Sequence, residues 1–130
     1  MIVGIGMDLC EIARIEQSIE RHGDRFAERV LGANEIVVYR ERLAHGGKRG
    51  VTYLATRFAA KEAFGKALGT GISHPVTWQR CEVLNGDKGQ PVIVLNGELA
   101  TWFAEQGLRA HVSLSDETNM AAAYVVVEKT

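Results

Sequence analysis

The segment Arg57-Phe-Ala-Ala-Lys-Glu-Ala-Phe-Gly-Lys-Ala-Leu-Gly-Thr-Gly-Ile72 carries two signals at once, a helix and its stop. Residues 54–68 predict a helix with Ala59, Ala60, Ala63, Phe64, Ala67 and Leu68 on a narrow apolar stripe. Side chains that small predict close approach to a neighbouring element. Glu62 and Lys66 stand four apart, so the helix aims a carboxylate and an ammonium at one small volume. A metal-bound polyphosphate would use both, and Gly69, Thr70 and Gly71 form a turn whose backbone N–H groups are candidates for the same anion. The same residues fit a plainer account, a helix-stabilising ion pair followed by a glycine stop. Position sharpens the choice. A helix C-terminus carries partial negative charge, so a phosphate there has to be held by Lys66, by turn amides and by a metal ion.

Upstream, residues 1–7 read as a buried strand, and Asp8 is expected to open a helix with Leu9, Ile12, Ile15 and Ile19 on its apolar face. Asp8 fits a metal ligand and, through Asp8-Leu-Cys-Glu11, equally fits a helix capping box. Gly23 interrupts, a short segment carries Phe26, Val30 and Leu31, and Asn34 is expected to cap a helix reaching about residue 43. Residues 45–50 read as a flexible connection. Downstream, residues 78–84 and 91–95 flank a turn and predict a hairpin. A short helix follows over 98–106, then strands over 110–115 and 120–128. The order predicts an α+β fold, a mainly antiparallel sheet packed by helices on one side, within a single domain over 1–130.

A formal net charge of −1 argues against a nucleic-acid partner, leaving charge recognition to local patches. No apolar run is long enough to span a bilayer, so no membrane role is expected. Cys10 and Cys81 lack metal-ligand spacing and read as reduced intracellular thiols, and the four histidines form no zinc cluster. Gly4-Ile-Gly6 starts like a dinucleotide fingerprint, but Leu9 occupies the third glycine's place. Gly65-Lys66 fails as a P-loop, because its glycines follow the helix. Two oxygens, from Asp8 and Glu62, suit Mg²⁺, which completes its shell with waters and phosphate oxygens. His111 lies on the polar face of its strand, as a surface or a functional histidine. Arg14, Arg21, Arg25 and Arg29 make a basic region, either neutralised locally by Asp24 and Glu28 or free to dock an acidic protein.

Three segments together resemble the holo-acyl-carrier-protein synthases, the short 4′-phosphopantetheinyl transferases. They are Gly4-Ile-Gly-Met-Asp8 with Ile12-Ala-Arg-Ile15, the central Arg57–Ile72 motif, and His111-Val-Ser-Leu-Ser115 with Ala121-Ala-Ala-Tyr-Val-Val-Val-Glu128. The resemblance implies the 4′-phosphopantetheinyl transferase fold, with Asp8 and Glu62 holding Mg²⁺ against the diphosphate of coenzyme A. It assigns Lys66 to the same phosphates and catalysis to Asp8, Glu62 and Lys66. It gives Gly69, Thr70, Gly71, His111 and, less directly, Arg57 to the coenzyme, and Arg14, Arg21 and Arg25 to the acidic helix of acyl carrier protein. It implies a cytoplasmic homotrimer with intersubunit active sites, serving fatty acid biosynthesis. Asp116 departs from the pattern, standing where many relatives carry histidine. The general base stays open between Glu62 and a metal-bound water. A non-catalytic module docking an acidic protein is the alternative, and a metal-dependent nucleotide hydrolase is weakened by the lack of a P-loop.

Overall fold

The alanine stripe meets a strand that has glycines where side chains would clash. In the computed structural model, which describes residues 1–130, the chain runs β1 (Ile2–Glu11), α1 (Ile12–His22), α2 (Asp24–Val30), α3 (Ala33–His45), α4 (Gly47–Leu68), β2 (Cys81–Asn85), β3 (Pro91–Leu95), α5 (Gly97–Gln106), β4 (Leu108–Asp116) and β5 (Met120–Lys129). A three-stranded antiparallel sheet has the order β1-β5-β4, and β2 and β3 form a separate hairpin. Helix α4 lies across the sheet with Ala59, Ala60 and Ala63 fully buried. A Cβ at Gly4 or Gly6 would collide with the carbonyl oxygen of Ala67 or Ala63. Helix backbone therefore rests directly on strand backbone, an approach only glycine allows.

Two further ties fix the helix. Lys61 is fully buried, and its three ammonium donors reach Val30 O at 2.6 Å, Glu35 Oε1 at 2.5 Å and Trp78 O at 2.7 Å. Glu35 also accepts the Gly32 and Val83 N–H groups at 2.9 and 2.8 Å. Each charge is thus paired and hydrogen-bonded, the condition on which a buried ion pair is tolerated.

Several boundaries differ from the sequence reading. Strand β1 continues through Asp8 to Glu11, with Asp8 opposite Ala123, and α1 starts at Ile12. The free N–H of Ile12 bonds Asn119 O at 3.0 Å, so Asp8 caps nothing. Leu9 accordingly points outward from a strand and is exposed. Asn34 is inside α3; its cap is the distant Glu82 carboxylate, which accepts the Asn34 and Glu35 N–H groups at 2.9 and 3.2 Å. Residues 47–50 form the first turn of α4, because Gly50 packs against Leu43. The remaining strands and α5 match expectation to within a few residues.

On the outward face of the sheet, Ile5, Met7 and Leu9 pair with Val126, Tyr124 and Ala122. Ile5, Met7, Leu9 and Tyr124 are exposed. Beside them β4 turns His111, Ser113 and Ser115 to the same face. Replacing Gly6 by alanine is expected to cost about 1–3 kcal/mol, because neither backbone can yield without moving α4. Urea unfolding measures it, and an unchanged midpoint would refute the contact.

Candidate active site

Strand alternation places Gly4, Gly6, Asp8 and Cys10 on the helix-facing side of β1. Contact of α4 with the two glycines then brings Glu62 and Lys66 over Asp8. The Lys66 ammonium donates to Asp8 Oδ1 at 3.0 Å and to Met7 O at 3.1 Å. Glu62 is half-buried, and its pKa is raised above the ordinary carboxylate value, first by burial and then by the negative charge of Asp8, with Lys66 opposing. Two carboxylates near enough at a half-open edge for one to raise the pKa of the other form a place for a divalent cation, whose charge would offset theirs. Nowhere in the chain do three acidic, histidine or cysteine groups gather as metal ligands. A cation between Asp8 and Glu62 therefore leaves most of its shell to water and ligand oxygens. The donor set fits Mg²⁺, an oxygen-seeking ion that keeps such a shell.

Cys10 lies on the same strand face, two residues from Asp8. Burial first, then Asp8, pushes its thiol up to about 11, which leaves it protonated and a poor nucleophile.

The glycine-rich turn does less than its sequence suggested. Gly69 closes α4 in the left-handed conformation (φ 78°), and its N–H bonds Lys66 O at 3.0 Å. The N–H groups of Thr70 and Gly71 both bond Gly65 O, at 3.2 and 3.0 Å. All three amides are spent capping the helix, so the expected amide cradle for an anion is corrected. The Thr70 hydroxyl stays at the exposed surface, donating to Gly71 O at 2.9 Å.

Two other expected residues lie away from the carboxylates. His111 is on the outward face of the sheet, opposite to Asp8, with Nε2 2.6 Å from Glu128 Oε2. Arg57 is buried on the other flank of α4, toward β2 and β4. Its Nε, Nη1 and Nη2 donate to Val83 O at 3.1 Å, Thr56 Oγ1 at 3.2 Å and Asn85 Oδ1 at 3.3 Å, and it lies 4.2 Å over the Tyr53 ring. Burial lowers the Arg57 pKa, opposed chiefly by Tyr53 and Glu35. Arg57 helps line a cavity of about 830 Å³ with Arg42, His45, Lys48 and Arg49, and also with Asn85 and Asp116. Asp8, Glu62 and Lys66 are not among its lining residues. The structure thus separates one expected coenzyme pocket into two places within a chain. The sequence reading missed this basic cavity because it took residues 45–50 for a loose connection.

Arg14, Arg21, Arg25 and Arg29 are all exposed on α1 and α2, and none forms a salt bridge. The expected neutralisation by Asp24 and Glu28 does not occur. Gly23, at φ 57° and ψ −141°, breaks the helix between Arg21 and Arg25, so the even stripe is interrupted.

Comparison with known proteins matches residues 4–125 to the 4′-phosphopantetheinyl transferase superfamily. The chain is 57% identical over 129 residues to the holo-[acyl-carrier-protein] synthase of Acidovorax sp. (strain JS42), covering 99% of each protein. A crystal structure of holo-[acyl-carrier-protein] synthase from Neisseria meningitidis superposes with a TM-score of 0.90 at 40% identity, over 99% of this chain and 100% of that one. The synthase of Bacillus anthracis str. Ames, in complex with CoA (3′,5′-ADP), gives 0.83 at 38% identity, over 100% and 99% of the two chains.

The Glu62 shift makes a stability prediction. A carboxyl with a raised folded-state pKa contributes stability that is present at acid pH and is lost as pH rises through the folded value. Glu62→Gln should therefore melt higher than the parent in chelator at neutral pH, and the gain should vanish at acid pH where both are neutral. Thermal melts across pH check this; a lower melting point at neutral pH would refute the strained carboxylate.

Proposed function

This chain belongs to the 4′-phosphopantetheinyl transferase superfamily, and we propose that it transfers the 4′-phosphopantetheine group of coenzyme A to a serine hydroxyl of an apo acyl carrier protein. The observation carrying this reading is the group Asp8, Glu62 and Lys66, two carboxylates and an ammonium gathered on one open edge between β1 and α4. Residues 1–130 act as one transferase domain.

Asp8 and Glu62 would hold Mg²⁺, which when bound supplies positive charge against the coenzyme diphosphate. Lys66 lies in reach of the same oxygens once it leaves Asp8. The serine oxygen attacks the β-phosphorus, the bond to the bridging oxygen breaks, and adenosine 3′,5′-bisphosphate departs with that oxygen. The serine proton passes to Glu62 or to a water beside it. Lys66 opposes the charge that moves onto the leaving phosphate, and such fixed charges supply much of the catalysis in phosphoryl-type transfer.

A homotrimer with active sites between subunits accounts for the rest of the surface. The exposed Ile5, Met7, Leu9 and Tyr124 make a contiguous apolar face that calls for a cover. His111 borders that face, opposite to Asp8, and this supports a ligand that meets Asp8 of one subunit and His111 of another. The basic cavity around Arg57 suits the 3′-phosphate of a coenzyme whose diphosphate lies at the neighbouring chain's carboxylates. The unpaired Arg14, Arg21 and Arg25 suit the acidic helix of the carrier. The setting we propose is cytoplasmic fatty acid biosynthesis.

Incubation with coenzyme A, Mg²⁺ and apo acyl carrier protein tests the function. The carrier should gain the mass of phosphopantetheine, and chelator should abolish the gain. No mass change would favour the non-catalytic module. Glu62→Gln should lower turnover on the order of 10²–10³-fold. Arg14→Glu should raise KM for the carrier about ten-fold while coenzyme A binding stays unchanged. Equal loss of both would make Arg14 structural.

A further inference from the structure

The basic cavity contains a charge that a simple anion trap would lack. Arg42 comes from α3, and Lys48, Arg49 and Arg57 come from α4. Asp116, at the end of β4, also lines the cavity. Along β4, residues 108, 110, 112 and 114 are half-buried against the helices, while 109, 111, 113 and 115 are exposed on the other face. Asp116 continues the helix-facing series where the strand runs out, on the opposite side of the sheet from His111. Its carboxylate forms no salt bridge with any of the cations around it. Glu41, the other acidic lining residue, precedes Arg42 on the same helix.

An unpaired carboxylate among cations lowers the potential felt by an entering anion, and it acts most strongly on the most highly charged group. We propose that Asp116 is a specificity-determining residue for the nucleotide end of coenzyme A. Its charge discriminates against the 3′-phosphate, keeping both coenzyme A and the released adenosine 3′,5′-bisphosphate from binding too tightly to leave. This rests on the reading of the cavity as the 3′-phosphate seat. One carboxylate acting on a dianion through a wet cavity changes affinity roughly five-fold.

Titration calorimetry with coenzyme A and 3′-dephospho-coenzyme A tests the proposal on the whole protein. Asp116→Asn should tighten coenzyme A about five-fold and leave the dephospho form nearly unchanged, with the gain shrinking as salt rises. Asp116→Glu, which keeps the charge, should retain the parent's ratio of the two affinities. An unchanged ratio in Asp116→Asn, or equal tightening of both ligands, overturns the proposal. Asp116→Ser repeats the measurement if the asparagine variant misfolds. Arg42→Gln and Lys48→Gln test the cavity reading separately, since each should weaken coenzyme A more than its dephospho form. If neither does, the cavity is not the 3′-phosphate seat, and the role of Asp116 falls with it. If they do and Asp116→Asn does not, only the role of Asp116 fails.

Discussion

Direct contact between the α4 backbone and the β1 backbone at Gly4 and Gly6 governs the placement of everything else. Small side chains on both partners let the helix sit deeper than ordinary packing allows. At that depth Glu62 and Lys66, each one residue before a contacting alanine, lie toward the strand's next inward side chain, Asp8. Lys61 holds the opposite face of the helix to α2, α3 and the loop at Trp78. With both faces held, α4 keeps Glu62 on the side of the helix from which Lys66 reaches Asp8. There, burial first and the negative charge of Asp8 second raise the pKa of Glu62.

The two charged regions follow from one geometric fact. Helix α4 crosses the sheet, so its flanks face different strand edges. The β1 flank carries Asp8, Glu62 and Lys66, and the β4 flank carries Arg57, its cationic neighbours and Asp116. In the proposed trimer, one chain's β1 flank would meet another's β4 flank, and a ligand with phosphates at both ends would suit that arrangement. The apolar outward face of β1 and β5 provides surface through which copies would associate. Charge on the outer helices is arranged differently again. The arginines of α1 and α2 are exposed and form no salt bridge.

Element types were legible because periodicity reports them locally. The β2–β3 hairpin, α5 and the final two strands stand close to where their patterns placed them. The misplacements share a cause, which is that distant partners did the capping. Asp8 looked like a helix cap because Asp8-Leu-Cys-Glu11 is a good local match, yet pairing with β5 carried the strand three residues further. Asn34 looked like a cap, but Glu82 supplied it from another element. Gly4 and Gly6 looked like a failed nucleotide fingerprint, when their task is to admit a helix. The Gly69-Thr70-Gly71 turn looked like an anion cradle, and its amides had already been taken by the helix it ends.

By itself the sequence determined the α+β element order, the placement of Glu62 and Lys66 on one helix face, and the motifs by which the family is identified. These depend on spacing along the chain, and spacing is fixed by covalent geometry. Tertiary structure alone decided that Asp8 stays in a strand and faces Glu62, that Lys61 and Glu35 form a buried pair, and that Arg57 and His111 lie apart from the carboxylates. Each depends on which side of a sheet or helix a residue finds itself, and that is settled only when distant elements exclude water from between them. A buried lysine and an exposed one look alike in sequence, and only the solvent around Lys61 and Lys66 tells them apart.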